Sequence, residues 1–148
     1  MKRINVDLDK GDKGRGGGRT ILVVDDNPGI RQAVCRAFLS DGFAVCGEAD
    51  NGQEAITLCK RFRPDIILLD LSMPVMNGLQ AAPELRKVAP KTPIILFTMY
   101  GNELQQHRVA ALGIDLVVSK NEALSVIIEK AHALLETQPP DRAEGAFG

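Results

Sequence analysis

Five polar residues along this chain form a set whose types suit the transfer of a phosphoryl group. Asp25 and Asp26 are adjacent, and Asp70, Thr98 and Lys120 follow at wide intervals. Carboxylates are hard oxygen ligands for a divalent cation such as Mg2+ or Mn2+. A carboxylate can also attack phosphorus and form an acyl phosphate. An ammonium and a hydroxyl bring the positive charge and the donor that phosphoryl oxygens require. Three like charges in one cleft repel one another, so a cation and Lys120 would have to offset them.

What could bring these residues together is the element that precedes each of them. Ile-Leu-Val-Val (21–24) runs into Asp25-Asp26, and Ile-Ile-Leu-Leu (66–69) into Asp70. Ile-Ile-Leu-Phe (94–97) runs into Thr98, and 114–118 leads through Ser119 to Lys120. In an open parallel α/β sheet the C-terminal strand ends gather along one edge, where ligands bind. A lone Asp after a strand is commonly a helix cap or a turn residue. Four such positions after four strands, all at the same end, point instead to one pocket.

The intervening sequence supports that sheet. Strands expected at 21–24, 43–47, 65–69, 94–97 and 114–118 alternate with helices at 30–40, 52–62, 78 to about 88, about 102 to 112, and 122–136. Ile30, Val34, Ala37 and Phe38 recur at helical spacing, as do Leu124, Ile127, Ile128, Ala131, Leu134 and Leu135. Continuous apolar strands separated by helices imply a parallel sheet covered on both faces. The expected fold is α/β: a flavodoxin-like, doubly wound five-stranded parallel sheet with five helices, (βα)5. Pro83, inside the third helix, is expected to kink or loosen it.

Composition narrows the function classes. The chain has 148 residues, 45% apolar and 25% charged, with a net charge of −1. That length predicts one domain with a substantial core. Residues 1–19 carry six Lys/Arg against three Asp/Glu and are rich in glycine. This arm and the tail 137–148 are expected to be disordered, leaving a folded domain over 20–136. The near-neutral balance argues against direct nucleic-acid binding. No apolar run approaches a membrane span, and no signal peptide is visible, so a cytoplasmic location is expected. Cys35, Cys46 and Cys59 form no CxxC and read as buried free thiols. His107 and His132 lack zinc-site spacing.

Four stretches carry a family resemblance: Val-Val-Asp-Asp-Asn (23–27), Asp-Ile-Ile-Leu-Leu-Asp-Leu-Ser-Met-Pro-Val-Met-Asn-Gly (65–78), Pro-Ile-Ile-Leu-Phe-Thr (93–98) and Val-Val-Ser-Lys (117–120). Over about 20–136 the chain resembles the receiver domain of two-component response regulators. The resemblance implies that Asp70 accepts phosphate from a histidine kinase or a phosphotransfer protein. It implies that Asp26 binds magnesium directly, Asp25 chiefly through water, and the Ser72 backbone carbonyl as a further ligand. Thr98 would turn toward the phosphoryl group and Lys120 would pair with it. The partner downstream would be a protein or an output domain. Homodimers of such domains commonly use the face over 98–136. The activity implied is signalling with self-catalysed phosphotransfer and dephosphorylation, not metabolic catalysis.

Departures from the family pattern bear on output. Val117 stands where the family usually has Tyr or Phe, so the usual threonine–aromatic relay lacks its ring. Tyr100, the only tyrosine, is the candidate stand-in, and a plain rim residue is the simpler reading. Met99 replaces a small residue and either shields the phosphoryl group or fills a gap that it can leave. Asn121 follows Lys120 where many members have proline after a cis peptide, so a trans bond is expected to alter how the lysine enters the pocket. Two rival functions remain. A haloacid dehalogenase-type phosphohydrolase would need DxDx[TV], which Asp25-Asp26-Asn27-Pro28 does not provide. A degenerate receiver would act as a phosphorylation-independent interaction scaffold.

Overall fold

The computed structural model describes residues 18–101 and 106–137, and every element below lies within them. The arm expected over 1–19, save Gly18 and Arg19, lies outside the described residues. So does the tail expected over 137–148, save Thr137. The elements alternate as β1 (Thr20–Val24), α1 (Pro28–Ser40), β2 (Ala44–Ala49), α2 (Gly52–Phe62), β3 (Ile66–Leu69), α3 (Gly78–Val88), β4 (Ile94–Thr98), α4 (Gln106–Ala110), β5 (Leu116–Ser119) and α5 (Leu124–Glu136). All strand pairs are parallel, in the order β2-β1-β3-β4-β5. This is the doubly wound flavodoxin-like arrangement, whose strand order reverses between β1 and β3. Asp25 and Asp70 follow these two neighbouring strands, at the switch point.

Alternation along the strands divides the apolar side chains between two cores. Ile21, Val23, Ile66, Leu68, Ile95 and Phe97 pack with Val34 and Phe38 of α1 and Ile127 and Ala131 of α5. Leu22, Val24, Ile67, Leu69, Ile94 and Leu96 pack with Ala55, Ile56 and Cys59 of α2 and Ala81, Ala82 and Leu85 of α3. Both faces of the central strands are therefore dry, which accounts for their unbroken apolar sequence. His132 of α5 meets Asp41 at 2.6 Å and packs beside the Phe43 ring, tying α5 to the end of α1. No helix among the described residues is long and apolar enough to cross a membrane.

Local chemistry sets the ends of the elements. Asn27 caps α1 by accepting from the Ile30 N–H, with Pro28 in the first turn, so α1 begins two residues before the expected Ile30. Asn77 and Gln80 form a reciprocal capping box on α3. Helix α3 spans Gly78–Val88 with Pro83 inside it and buries Ala81, Ala82 and Leu85. Of the fourth helix expected over about 102 to 112, residues 102–105 lie outside the described residues, and α4 ends at Ala110, before the expected end. Tight turns follow, with Leu112 and Gly113 donating to Val109 and Ala110, and Gly113 at φ +96°. The fifth strand starts at Leu116, not 114, because the Asp115 carboxylate is occupied by the Ile94 N–H and Arg86. The second strand reaches Ala49. Its pairing with β1 slips at Cys46, which opposes no residue there and leaves its thiol half-buried against the Ile21 carbonyl. Cys35 and Cys59 are buried as expected, and all three thiols are free.

Candidate functional site

The strand ends bring the acidic residues together. The first strand delivers Asp25, whose N–H donates to the Ala49 carbonyl of β2. The third delivers Asp70, whose N–H donates to the Val24 carbonyl. Parallel pairing of β1 with β3 thus fixes the two carboxylates side by side. Asp26 follows on the open rim and is exposed, while Asp25 and Asp70 are buried. One oxygen from each of Asp25, Asp26 and Asp70 lies within 4.8 Å of the others.

Lys120 enters from the far side of the cleft. Its N–H donates to the Thr98 carbonyl, and its ammonium lies 2.7 Å from Asp25 Oδ2 and 3.2 Å from Asp70 Oδ1. The same ammonium stands 5.7 Å from the centre of the Phe97 ring. No cis peptide occurs among the described residues, so the lysine reaches both carboxylates across a trans Lys120–Asn121 bond. Thr98 is buried, and its hydroxyl accepts from the Tyr100 N–H at 3.1 Å. Met99 and Tyr100 are exposed on the rim. Val117 is half-buried and packs into the α2/α3-side core. Ser72 is exposed in the loop between β3 and α3.

That loop is held by close backbone contacts. The Gly78 N–H donates to the Leu71 carbonyl at 2.8 Å, and a Cβ on Gly78 would collide with the Asp70 carbonyl oxygen. The Met76 carbonyl accepts from the Gly52 N–H, linking the loop to the start of α2. The Met76 N–H donates to the Pro74 carbonyl at 2.6 Å, closing a γ-turn around Val75, which sits at φ +67° and is 80% exposed.

Electrostatics at the cleft are unbalanced. Three carboxylates against one ammonium leave a formal excess of two negative charges. Burial, and next the neighbouring Asp25, push the Asp70 carboxyl from 3.8 up to about 6, while Lys120 pulls the other way. Asp25 Oδ2 touches the Lys120 ammonium but accepts no aligned hydrogen bond from any described group. Clustered carboxylate oxygens and a formal charge of −2 fit a hard divalent cation. Residues that sequence reasoning passed over also shape the site. Asn27 donates its N–H to Asp25 Oδ1, and Arg31 donates to the Asp25 carbonyl. Asn27 closes the Val-Val-Asp-Asp-Asn stretch without a role assigned to it, and Arg31 carried no signal, since a helical arginine is ordinary in sequence.

Residues 21–132 match the family model of the response regulator receiver domain. The chain belongs to that family. It is 37% identical over 86 residues to the chemotaxis protein CheY of Thermotoga maritima, covering 58% of this chain and 72% of that one. It is 35% identical over 127 residues to the response regulator MprA of Mycolicibacterium vanbaalenii, covering 84% of this chain and 54% of that one. The chain thus spans about half the length of some curated relatives that it matches. Among solved structures it is similar to a LuxR-family two-component response regulator from Aurantimonas, with a TM-score of 0.72 and 28% identity, covering 80% and 85% of the two chains. It is also similar to the receiver domain of AraT from Geobacillus stearothermophilus, with a TM-score of 0.73 and 26% identity, covering 84% and 98%. Receiver domains are signalling modules, and they bind Mg2+ in an acidic pocket.

Proposed function

We propose that this receiver, spanning 20–136, is a phosphorylated switch with Asp70 as its phospho-acceptor. The observation that carries the reading is the convergence of Asp25, Asp26, Asp70 and Lys120 on one cleft at the switch point of the sheet. An Asp70 carboxylate oxygen attacks the phosphorus of a phosphohistidine on a kinase or a phosphotransfer protein. The new O–P bond forms as the N–P bond breaks, and the leaving imidazole keeps the electron pair and takes up a proton. Asp25, Asp26, Asp70 and the Ser72 carbonyl would hold Mg2+ or Mn2+, which when bound neutralises charge on the transferring oxygens. Lys120 lies close enough to Asp70 to meet the new phosphoryl oxygens. Thr98 can give up the Tyr100 N–H and donate its hydroxyl to them.

That exchange ties the chemistry to shape. Releasing the Tyr100 N–H loosens the segment after β4, so phosphorylation would bias two conformations over 98–136. A protein partner or an output domain would read this face, and a second copy of the chain is one such reader. With Val117 lacking a ring, Met99 and Tyr100 on the rim are the residues left to modulate access and output.

Beryllofluoride with Mg2+, which mimics an acyl phosphate on a carboxylate, tests the switch. Amide spectra of the wild type should shift at the site and over 98–136, and those of Asp70→Asn should not. A partner whose capture is indifferent both to beryllofluoride and to Asp70→Asn would instead support a scaffold.

A further inference from the structure

We propose that Arg31 is a positioning residue for the cation site, fixing the peptide between Asp25 and Asp26 so that both carboxylates face the cleft together. The inference rests on the reading of that cleft as a cation site. Arg31 lies one turn into α1, where its N–H donates to the Asn27 carbonyl. Its guanidinium spans two anchors. One terminal nitrogen donates to the Asp25 carbonyl at 2.7 Å, and Nε donates to Glu48 Oε1 at 3.0 Å. Glu48 sits on β2, paired in register with Val23 of β1, so the arginine is braced from the neighbouring strand.

The Asp25 carbonyl belongs to the peptide unit that leads into Asp26. The rest of Asp25 is held elsewhere: its N–H by Ala49, Oδ1 by the Asn27 N–H, and Oδ2 by Lys120. The Asp26 side chain is exposed and makes no hydrogen bond or ion pair among the described residues. Its direction therefore depends on the backbone that carries it, and Arg31 sets the plane of that backbone. A planar fork with several donors can hold a carbonyl and a carboxylate at once, whereas a lysine offers only a point charge on a flexible stem.

Two effects of removing Arg31 have opposite signs. By Coulomb's law alone, losing a positive charge beside the site tightens the binding of a cation. Losing the brace lets the 25–26 peptide turn, which separates the carboxylates and weakens binding. Groups that orient metal ligands typically contribute roughly ten- to hundredfold in affinity.

Mn2+ titration of the full chain, followed by electron paramagnetic resonance, separates these effects. Wild type, Arg31→Gln, Arg31→Lys and Glu48→Gln would be compared, each with its melting curve. Arg31→Gln should bind Mn2+ roughly tenfold or more weakly while still folded at the titration temperature. Arg31→Lys, which keeps the charge, should fall between it and wild type, and provides the comparison if Arg31→Gln fails to fold. Glu48→Gln, which keeps an acceptor for Nε, should stay close to wild type. Equal or tighter binding by Arg31→Gln, or wild-type affinity in Arg31→Lys beside an unfolded Arg31→Gln, would overturn the proposal. If wild type binds no Mn2+, the cation-site reading itself falls, and the proposal with it.

Discussion

At Asp70, burial and charge act against ionisation, whereas the phospho-acceptor role proposed for it requires the carboxylate. Its carboxyl is raised to about 6 by desolvation and then by Asp25, with Lys120 opposing. The folded state therefore binds this proton more tightly than the unfolded chain does. Between about 4 and about 6, stability should fall as pH rises, and above that window the whole penalty is present. Without metal at pH 7, Asp70→Asn should melt several degrees above wild type, and the difference should shrink as pH falls toward 4. Saturating Mg2+ should raise wild type and leave Asp70→Asn far less changed. A metal-free Asp70→Asn that melts below wild type at pH 7 would contradict this picture. A second charge tests the same balance. Lys120→Met removes the ammonium that faces both Asp25 and Asp70, and should cost roughly 3 kcal/mol of metal-free stability in denaturant titrations, partly restored by Mg2+. The residues of this cleft were legible in sequence because each stands at or just beyond the end of an apolar run. Arg31 was not, since only the tertiary fold brings an ordinary helical charge to the Asp25 carbonyl.

Among the elements, the segment between β3 and α3 is tied down by close backbone contacts. It carries Ser72, turns sharply at Val75 and returns against Asp70 through Gly78. A β-branched residue at positive φ is strained, at a cost of about 1 kcal/mol or more. Val75→Gly should therefore raise stability or leave it level, despite the added freedom of the unfolded chain, and a clear loss would show that the valine side chain holds something in place. Gly78→Ala should be severe, because the new Cβ has nowhere to go but into the Asp70 carbonyl. Loss of folding, or of cation binding in any folded fraction, is expected, and a wild-type melting point would refute the contact. The limits of sequence reading fall at this scale too. Helix and strand types followed from periodicity, while the ends depended on partners far along the chain. The fifth strand begins late because Asp115 serves Ile94 and Arg86, and the second slips at Cys46.

For the molecule as a whole, the sheet order is what unites chemistry with signalling. Reversal of the strand order between β1 and β3 opens the crevice where Asp25 and Asp70 meet. Two dry cores keep that edge rigid, so a change in charge at the cleft has few places to be relieved. The segment after β4 is one of them, because the Tyr100 N–H is held there by the Thr98 hydroxyl. The most direct test of the central claim is intact-mass measurement after treatment with acetyl phosphate and Mg2+, with Asp70→Asn alongside. One added phosphate on wild type, absent without Mg2+ and absent from Asp70→Asn, is the predicted result. An equal gain on Asp70→Asn, or no gain on wild type with acetyl phosphate or with a phosphorylated histidine kinase, would contradict it.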